Sequence, residues 1–382
     1  VFMVMFIGIC GNIASDAAIV IIPPLAGIIF MYLGKHPLAG IAAGYAGTTA
    51  GFSANIMPAG TDALLQGITN EASAIVSGPE IQLTANWYFM IVSTFVISIV
   101  GTFVNNKIIE PRLGKYKGKA KIEGSAEVTP EERKALRTTG LASLIYVGII
   151  VALAFPKGSF FRNPDTGSLI IQSTLMSSLI PLLLGLFLVV GISYGISIGV
   201  IKTTSDVPIL MTKAIKGMAS FIVLAFIIGQ FIGWFNWTNL GLLISVKLAN
   251  MISHAGFIGV PLFISYILVC TTVNLFIGSG SAKWSLLAPI FVPMFTILGY
   301  HPAWTQVLYR IGDSSTNVIS PLFNYLPIIL AFMQEYDEDA GIGTLISLMI
   351  PYSMIFLVFW SLLAIVWYFV GLPLGPGAPI FL

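Results

Sequence analysis

Ionisable side chains are scarce in this sequence. The informative ones lie inside apolar stretches, where a charge near a bilayer centre costs about 2.5 kcal/mol or more. The run FIGSGSAKWSLLAP contains Lys283 and Trp284, and YRIGDSSTNVISP contains Arg310 and Asp313. Arginine presents a planar, permanently charged fork that matches a carboxylate, so Arg310 points to an anionic solute. Its position three residues before Asp313 also fits a structural ion pair on one helical face, and both readings stand at this level. Trp284, beside the GSGSAK turn, is either a stacking face for a ring-bearing solute or a packed core ring. Asp313, Ser314, Ser315, Thr316 and Asn317, with Asn274 just ahead of the neighbouring break, gather carboxylate, hydroxyl and amide oxygens. Unwound helices use such groups to hold cations. The set suits Na+, a proton carried on Asp313, or the satisfaction of broken-helix backbone.

The other end of the chain offers Asp62, which follows a Pro-Ala-Gly break in MPAGTDALLQGIT and is the carboxylate expected nearest to such a site. Its neighbours Thr69, Asn70 and Glu71 read instead as a periplasmic loop. Asp16, in GNIASDAAIV, is a further carboxylate or a helix cap. No HExxH, CxxC, GxSxG or Walker pattern occurs, so an intramembrane metalloprotease, a redox enzyme or an ATP-driven pump has no motif to stand on. No catalytic residue is assigned. An ion channel, or an intramembrane enzyme with a scattered carboxylate set, is the alternative to a carrier.

These residues need a scaffold that crosses a membrane. Of 382 residues, 57% are hydrophobic and 9% charged, with a mean hydropathy of +0.93. A soluble chain carries roughly 25% charged residues, so no water-facing surface can be built here. Apolar runs of spanning length fall at 87–105, 138–155, 173–200, 217–235, 257–279 and 343–371. They are continuous rather than alternating, which favours a helical bundle over a β-barrel. Cys10 and Cys270 sit within apolar stretches and read as packing residues. The chain opens directly into VFMVMFIGI from Val1, and further spans are expected ahead of it. Basic residues mark the cytoplasmic side. The segment 107–137 holds Lys107, Arg112, Lys115, Lys117, Lys119, Lys121, Arg133, Lys134 and Arg137, nine of the eighteen Lys and Arg. It is expected in the cytoplasm, beside anionic lipid, with KGSFFRNPDTGS on the periplasmic side. Nothing in a net charge of +2 points to nucleic acid.

Offsetting the chain by 265 residues aligns 17–47 with 282–312 without gaps. Eight positions are identical: Ala17/Ala282, Pro24/Pro289, Phe30/Phe295, Leu33/Leu298, Gly34/Gly299, His36/His301, Pro37/Pro302 and Gly47/Gly312. The same offset pairs Asp16 with Ser281. Each copy runs into a polar stretch interrupted by Gly or Pro. Irregular backbone survives at membrane depth only under protein or a wet cavity, and paired broken helices mark a transporter's binding site. The expected layout is one transmembrane domain over 1–382. It comprises a first repeat at 1–86, the basic loop at 107–137, scaffold spans at 138–235, a second repeat at 236–335 and a last span at 343–371. Gly191, Gly195 and Gly199, and again Gly229 and Gly233, read as close helix packing. Trp360, Trp367 and Tyr368 read as an interface belt, and His36 and His301 as turn residues.

The stretches PAGTDALLQGIT, GSGSAKWSLLAPIFVPMF and LGYHPAWTQVLYRIGDSSTNVISPL resemble the p-aminobenzoyl-glutamate transporter family, AbgT, and the likeness runs over essentially the whole chain. The resemblance implies an all-α inverted-repeat carrier with two re-entrant helical hairpins, dimeric and in the bacterial inner membrane. It implies uptake of p-aminobenzoyl-glutamate or export of sulfonamide antimetabolites, driven by a proton or sodium gradient, with ion coupling at Asn274, Asp313 and Asp62 and no cofactor beyond a possible Na+ at Asn274 and Asp313. The family's site positions fall on Asp62, Asn274, Ser281, Trp284, Pro302, Arg310, Asp313 and Pro321. Pro302 and Pro321 rest on the resemblance alone.

Overall fold

The computed structural model describes residues 1–382 except 15, 117–128, 170–172, 218–222, 224–225, 228–229, 231–232, 235–236 and 324. Most of the expected span at 217–235, including Gly229, and the middle of the basic loop therefore lie outside the described residues. Among the described residues all regular structure is helical. The extended pairings are isolated bridges, Tyr300 with Phe381 and Gly375 with Ala378. The chain divides into two compact units, Val1–Lys121 with Ile232–Leu382, and Ile122–Phe231.

In chain order, the larger unit begins with α1 (Phe2–Cys10), α2 (Asp16–Tyr32), α3 (Pro37–Tyr45), α4 (Gly60–Ala74), α5 (Trp87–Val104) and α6 (Glu110–Leu113). The smaller unit holds α7 (Pro130–Ala154), α8 (Thr174–Ser177), α9 (Leu179–Ser197) and α10 (Asp206–Gly217). The larger unit then resumes with α11 (Leu240–His254), α12 (Val260–Asn274), α13 (Gly280–Ile297), α14 (Pro302–Asn317), α15 (Leu326–Gln334) and α16 (Ile342–Val370).

Among the described residues, three continuous helices are long and apolar enough to cross a membrane, Trp87–Leu113, Pro130–Ala154 and Ile342–Val370. The first carries helix through 105–113, and α7 starts at Pro130, so the basic loop is shorter at both ends than its charges suggested. In α16, Ile350, Met354, Val358, Leu362 and Val366 are exposed at every fourth position. The opposite face, with Tyr352, Phe356, Trp360 and Trp367, is buried. That stripe is what a helix between protein and lipid requires. The belt reading of its aromatics is corrected here: Trp360 is buried, with its indole N–H donating to Ser93 Oγ at 2.8 Å. Trp367 packs edge-on against Phe89 with centroids 5.3 Å apart, and Tyr368 packs on Phe263 at 5.0 Å. A ring at a helix end turns inward when the protein offers it a partner.

In the smaller unit, the Tyr146 hydroxyl of α7 donates to the Leu182 carbonyl of α9 at 2.9 Å. The glycine pattern there is only partly a packing seam. Gly195 lies against Ile201, whereas Gly191 has nothing near the position a Cβ would take.

The helical hairpin α2–α3 is built on close backbone approach. A Cβ on Gly40 would strike the Ala26 carbonyl and the Phe30 ring, and one on Gly44 would meet Pro23 Cα. Rising numbers on α3 meet falling numbers on α2, so the two helices run antiparallel.

The two LGxHP turns share one construction. Gly34 and Gly299 adopt φ of 70° and 88°, which glycine alone tolerates freely. His36 and His301 cap the following helices, each Nδ1 accepting from the backbone N–H two residues on at 3.3 Å. Pro37 and Pro302 occupy the first helical turn, where the missing N–H costs nothing. Gly47 lies against Met5, and Gly312 against Cys270, again at the constant offset of 265.

Candidate functional site

Helix α14 carries Arg310 and Asp313 of the candidate set, and all sixteen of its residues are buried. Most buried polar groups in proteins are hydrogen-bonded; here Trp304 Nε1, Thr305 Oγ1 and Ser314 Oγ have no hydrogen-bond partner among the described residues, and the other polar side chains of the helix are engaged. Gln306, Tyr309, Arg310, Asp313, Thr316 and Asn317 recur at helical spacing along one face. Their partners arrive from α4, from Asn86 just ahead of α5, from the C-terminus of α12 and from the first turn of α13.

The first cluster joins the two ends of the chain. Arg310 Nη2 stands 2.6 Å from Asp62 Oδ1, with both side chains buried. The second Asp62 oxygen accepts the Ala59 N–H at 2.6 Å, so the carboxylate that starts α4 is held by its own helix terminus as well as by the arginine. Arg310 also donates to Gln306 Oε1 at 3.2 Å, and Asn86 Nδ2 donates to the same oxygen at 2.5 Å. Thr69 is the hub. Its Oγ1 accepts from Gln306 Nε2 at 2.8 Å and from Trp284 Nε1 at 2.9 Å, and donates to the Leu65 carbonyl at 2.7 Å. Side chains of α4, α13 and α14 are thereby tied at one hydroxyl.

The second cluster sits one turn further along α14. Lys283 Nζ is 2.6 Å from Asp313 Oδ1, both nearly inaccessible, and the same ammonium is hydrogen-bonded to Asn274 Oδ1. Asn274 Nδ2 faces the Asp313 carbonyl at 2.5 Å, Thr316 Oγ1 at 2.8 Å and Asn317 Oδ1 at 3.0 Å. The Tyr309 hydroxyl donates to the Gly280 carbonyl at 2.5 Å, with Asp313 Oδ1 at 3.2 Å. The Gly280 Cα faces the Asp313 carboxylate, which a Cβ there would meet at ordinary contact distance, 3.4 Å.

Several expectations change. Arg310 and Asp313 do not pair with each other, despite their spacing. Each finds an opposite charge on a different helix, because the i, i+3 geometry competes with better-placed partners across the packing. Trp284 presents no free face to a solute in this conformation. It is fully buried, with its ring 4.5 Å from that of Tyr309. Thr69 and Asp62, read as loop neighbours, are buried inside α4. Ser281 is half-buried on the first turn of α13, near Ser279 Oγ at 3.4 Å. Pro302 begins α14, roughly 16 Å along the axis from Asp313 at 1.5 Å per residue, and serves the turn. Pro321 is exposed in the connection 318–325. The structure thus gathers Asp62, Asn274, Trp284, Arg310 and Asp313 and sets Ser281 beside them, while Pro302 lies at the far end of α14 and Pro321 follows Ser320, whose Oγ donates to the Asn274 carbonyl at 3.0 Å. The Asp16 side chain lies outside the described residues. Thr69, Asn86, Gln306 and Tyr309 are additions that the sequence reading missed.

Chemically, the arrangement is two buried ion pairs of zero net charge. An isolated charge here would carry a large desolvation cost, so each pair is secure until something replaces a partner. An arginine held by a carboxylate can exchange that carboxylate for another, and a carboxylate held by an ammonium can exchange the cation.

The model of the AbgT putative transporter family matches residues 1–382. The p-aminobenzoyl-glutamate transport protein of Escherichia coli (strain K12) is 43% identical over 378 residues, 98% of this chain and 74% of that protein. The crystal structure of the YdaH transporter of Alcanivorax borkumensis superposes with a TM-score of 0.92 at 37% identity, covering 98% of this chain and 79% of that one. MtrF of Neisseria gonorrhoeae, described within a class of antimetabolite efflux pumps, superposes at 0.89 with 42% identity, covering 99% of this chain and 76% of its own.

Proposed function

This chain belongs to the AbgT putative transporter family, and from that premise we propose a gradient-driven secondary carrier for a small aromatic carboxylate of the p-aminobenzoyl-glutamate type. The observation that carries the reading is the meeting of Asp62 and Arg310 at 2.6 Å. The polar break of one half supplies the counter-ion to the charged helix of the other, so separating the halves exposes a cation suited to a carboxylate. In this reading the solute carboxylate takes the place of Asp62 on Arg310. Asp62 keeps its second oxygen on the Ala59 N–H, so it is not left without a partner. Asp313 and Asn274 carry the coupling cation or proton.

Trp284 acts first as a latch. Its N–H on Thr69 holds α4 against α13, and its ring becomes available to a solute ring only when that contact opens. Motion of a packed pair of broken helices about a fixed site is how inverted-repeat carriers alternate access. The reading extends to a homodimer in a bacterial inner membrane, with the direction of net transport set by the gradient.

The test is flux of p-aminobenzoyl-glutamate into proteoliposomes with Na+ and H+ gradients imposed separately. Saturable flux that follows one gradient supports a carrier. Conductance without saturation would replace it with a channel.

A further inference from the structure

Within the larger unit, the oxygens suited to a metal cation are already turned toward a positive charge that belongs to the chain. Asn274 cannot be reversed: its Nδ2 faces three acceptors, the Asp313 carbonyl, Thr316 Oγ1 and Asn317 Oδ1, which fixes Oδ1 toward Lys283. Lys283 Nζ bonds that oxygen and Asp313 Oδ1. The ammonium thus occupies the place where a monovalent metal ion would be held between a carboxylate and an amide oxygen. The donor set fits Na+ in chemistry, and the position is taken.

The two cations cannot share it. One carboxylate faces the pocket, so a second positive charge would leave a net buried charge, which the low-dielectric interior penalises heavily. Lysine is suited to give way, being a compact charge on a flexible four-carbon stem. Its helix begins at Gly280, within the small-residue run Gly278-Ser279-Gly280-Ser281.

We infer that the Lys283 ammonium is a resident cation competing with Na+ for the Asn274–Asp313 position, so that Lys283 sets how weakly the carrier holds Na+ there. The inference rests on the reading of Asn274 and Asp313 as the coupling-ion position.

Binding is measured on the purified full chain in detergent, as the rise in Tm with NaCl over choline chloride at equal ionic strength. No transport enters this readout, so a failed flux assay and a failed inference are distinguishable. Lys283→Gln is expected to show a saturable, Na+-specific rise in Tm at concentrations at least tenfold lower than wild type requires. Lys283→Gln/Asp313→Asn should lose it. If Lys283→Gln is unstable in choline because Asp313 is left unpaired, its recovery of folded yield on purification in Na+ is the readout. Equal Na+ response in wild type and Lys283→Gln, or an unstable Lys283→Gln that Na+ does not rescue, overturns the inference.

Discussion

Asp62, at the start of α4, and Arg310, midway along α14, come from opposite ends of the chain and meet at 2.6 Å inside the protein. Removing one partner of a buried pair strands a charge and costs about 3–5 kcal/mol. Arg310→Gln and Asp62→Asn should each lower Tm markedly. The double substitution Asp62→Asn/Arg310→Gln should regain much of the stability and none of the flux. Paired thermal melts and flux assays check this, and recovery of flux in the double variant would make the pair purely structural.

Trp284 offers a finer separation. Trp284→Phe keeps the ring against Tyr309 and deletes the N–H bond to Thr69, a loss of about 1 kcal/mol. Trp284→Ala also empties the space and should cost about 3–5 kcal/mol. Thr69→Val should resemble Trp284→Phe and additionally loosen Gln306. Chemical or thermal denaturation of the three variants ranks them, and a milder effect for Trp284→Ala than for Trp284→Phe would contradict the packing described.

Two glycines predict opposite signs for one substitution. Gly40 sits where a Cβ would run into the Ala26 carbonyl and Phe30, whereas Gly67 in α4 has open space around it. Gly40→Ala should destabilise by about 1–3 kcal/mol through overpacking. Gly67→Ala should be neutral or stabilise by about 0.5–1 kcal/mol, the helix-interior cost of glycine. Melting temperatures of the two proteins in the same detergent decide it.

The matched turns should respond alike. Gly34→Ala and Gly299→Ala each force a side chain into a positive-φ conformation, at roughly 1–2 kcal/mol. Similar losses at both positions are expected from Tm measurements, since the two LGxHP turns share the same His cap.

Much of this was legible in the residues because charge is so expensive in an apolar chain. Asp62, Lys283, Arg310 and Asp313 stood out for that reason, and the continuous apolar runs marked α5, α7 and α16 directly. Their pairing was not legible. Local spacing suggested Arg310 with Asp313, but which charge meets which is decided by how α4, α12 and α13 pack on α14. Thr69, Asn86 and Gln306 are neutral polar residues of ordinary types, and Thr69 beside Asn70 and Glu71 resembled a loop. The available signal was the polar periodicity from Gln306 to Asn317, which demands partners if the helix is buried. Trp360 and Trp367 misled because aromatic residues near a span end suit either lipid headgroups or a protein interior, and only packing distinguishes them.

Carriage of a carboxylate solute where Arg310 meets Asp62 is tested by uptake of p-aminobenzoyl-glutamate into proteoliposomes. Wild type and Gly67→Ala are expected to show saturable, gradient-dependent uptake, and Arg310→Gln/Asp62→Asn is expected to show none while remaining folded. Wild-type uptake by that folded double variant would show that the solute carboxylate does not bind at Arg310.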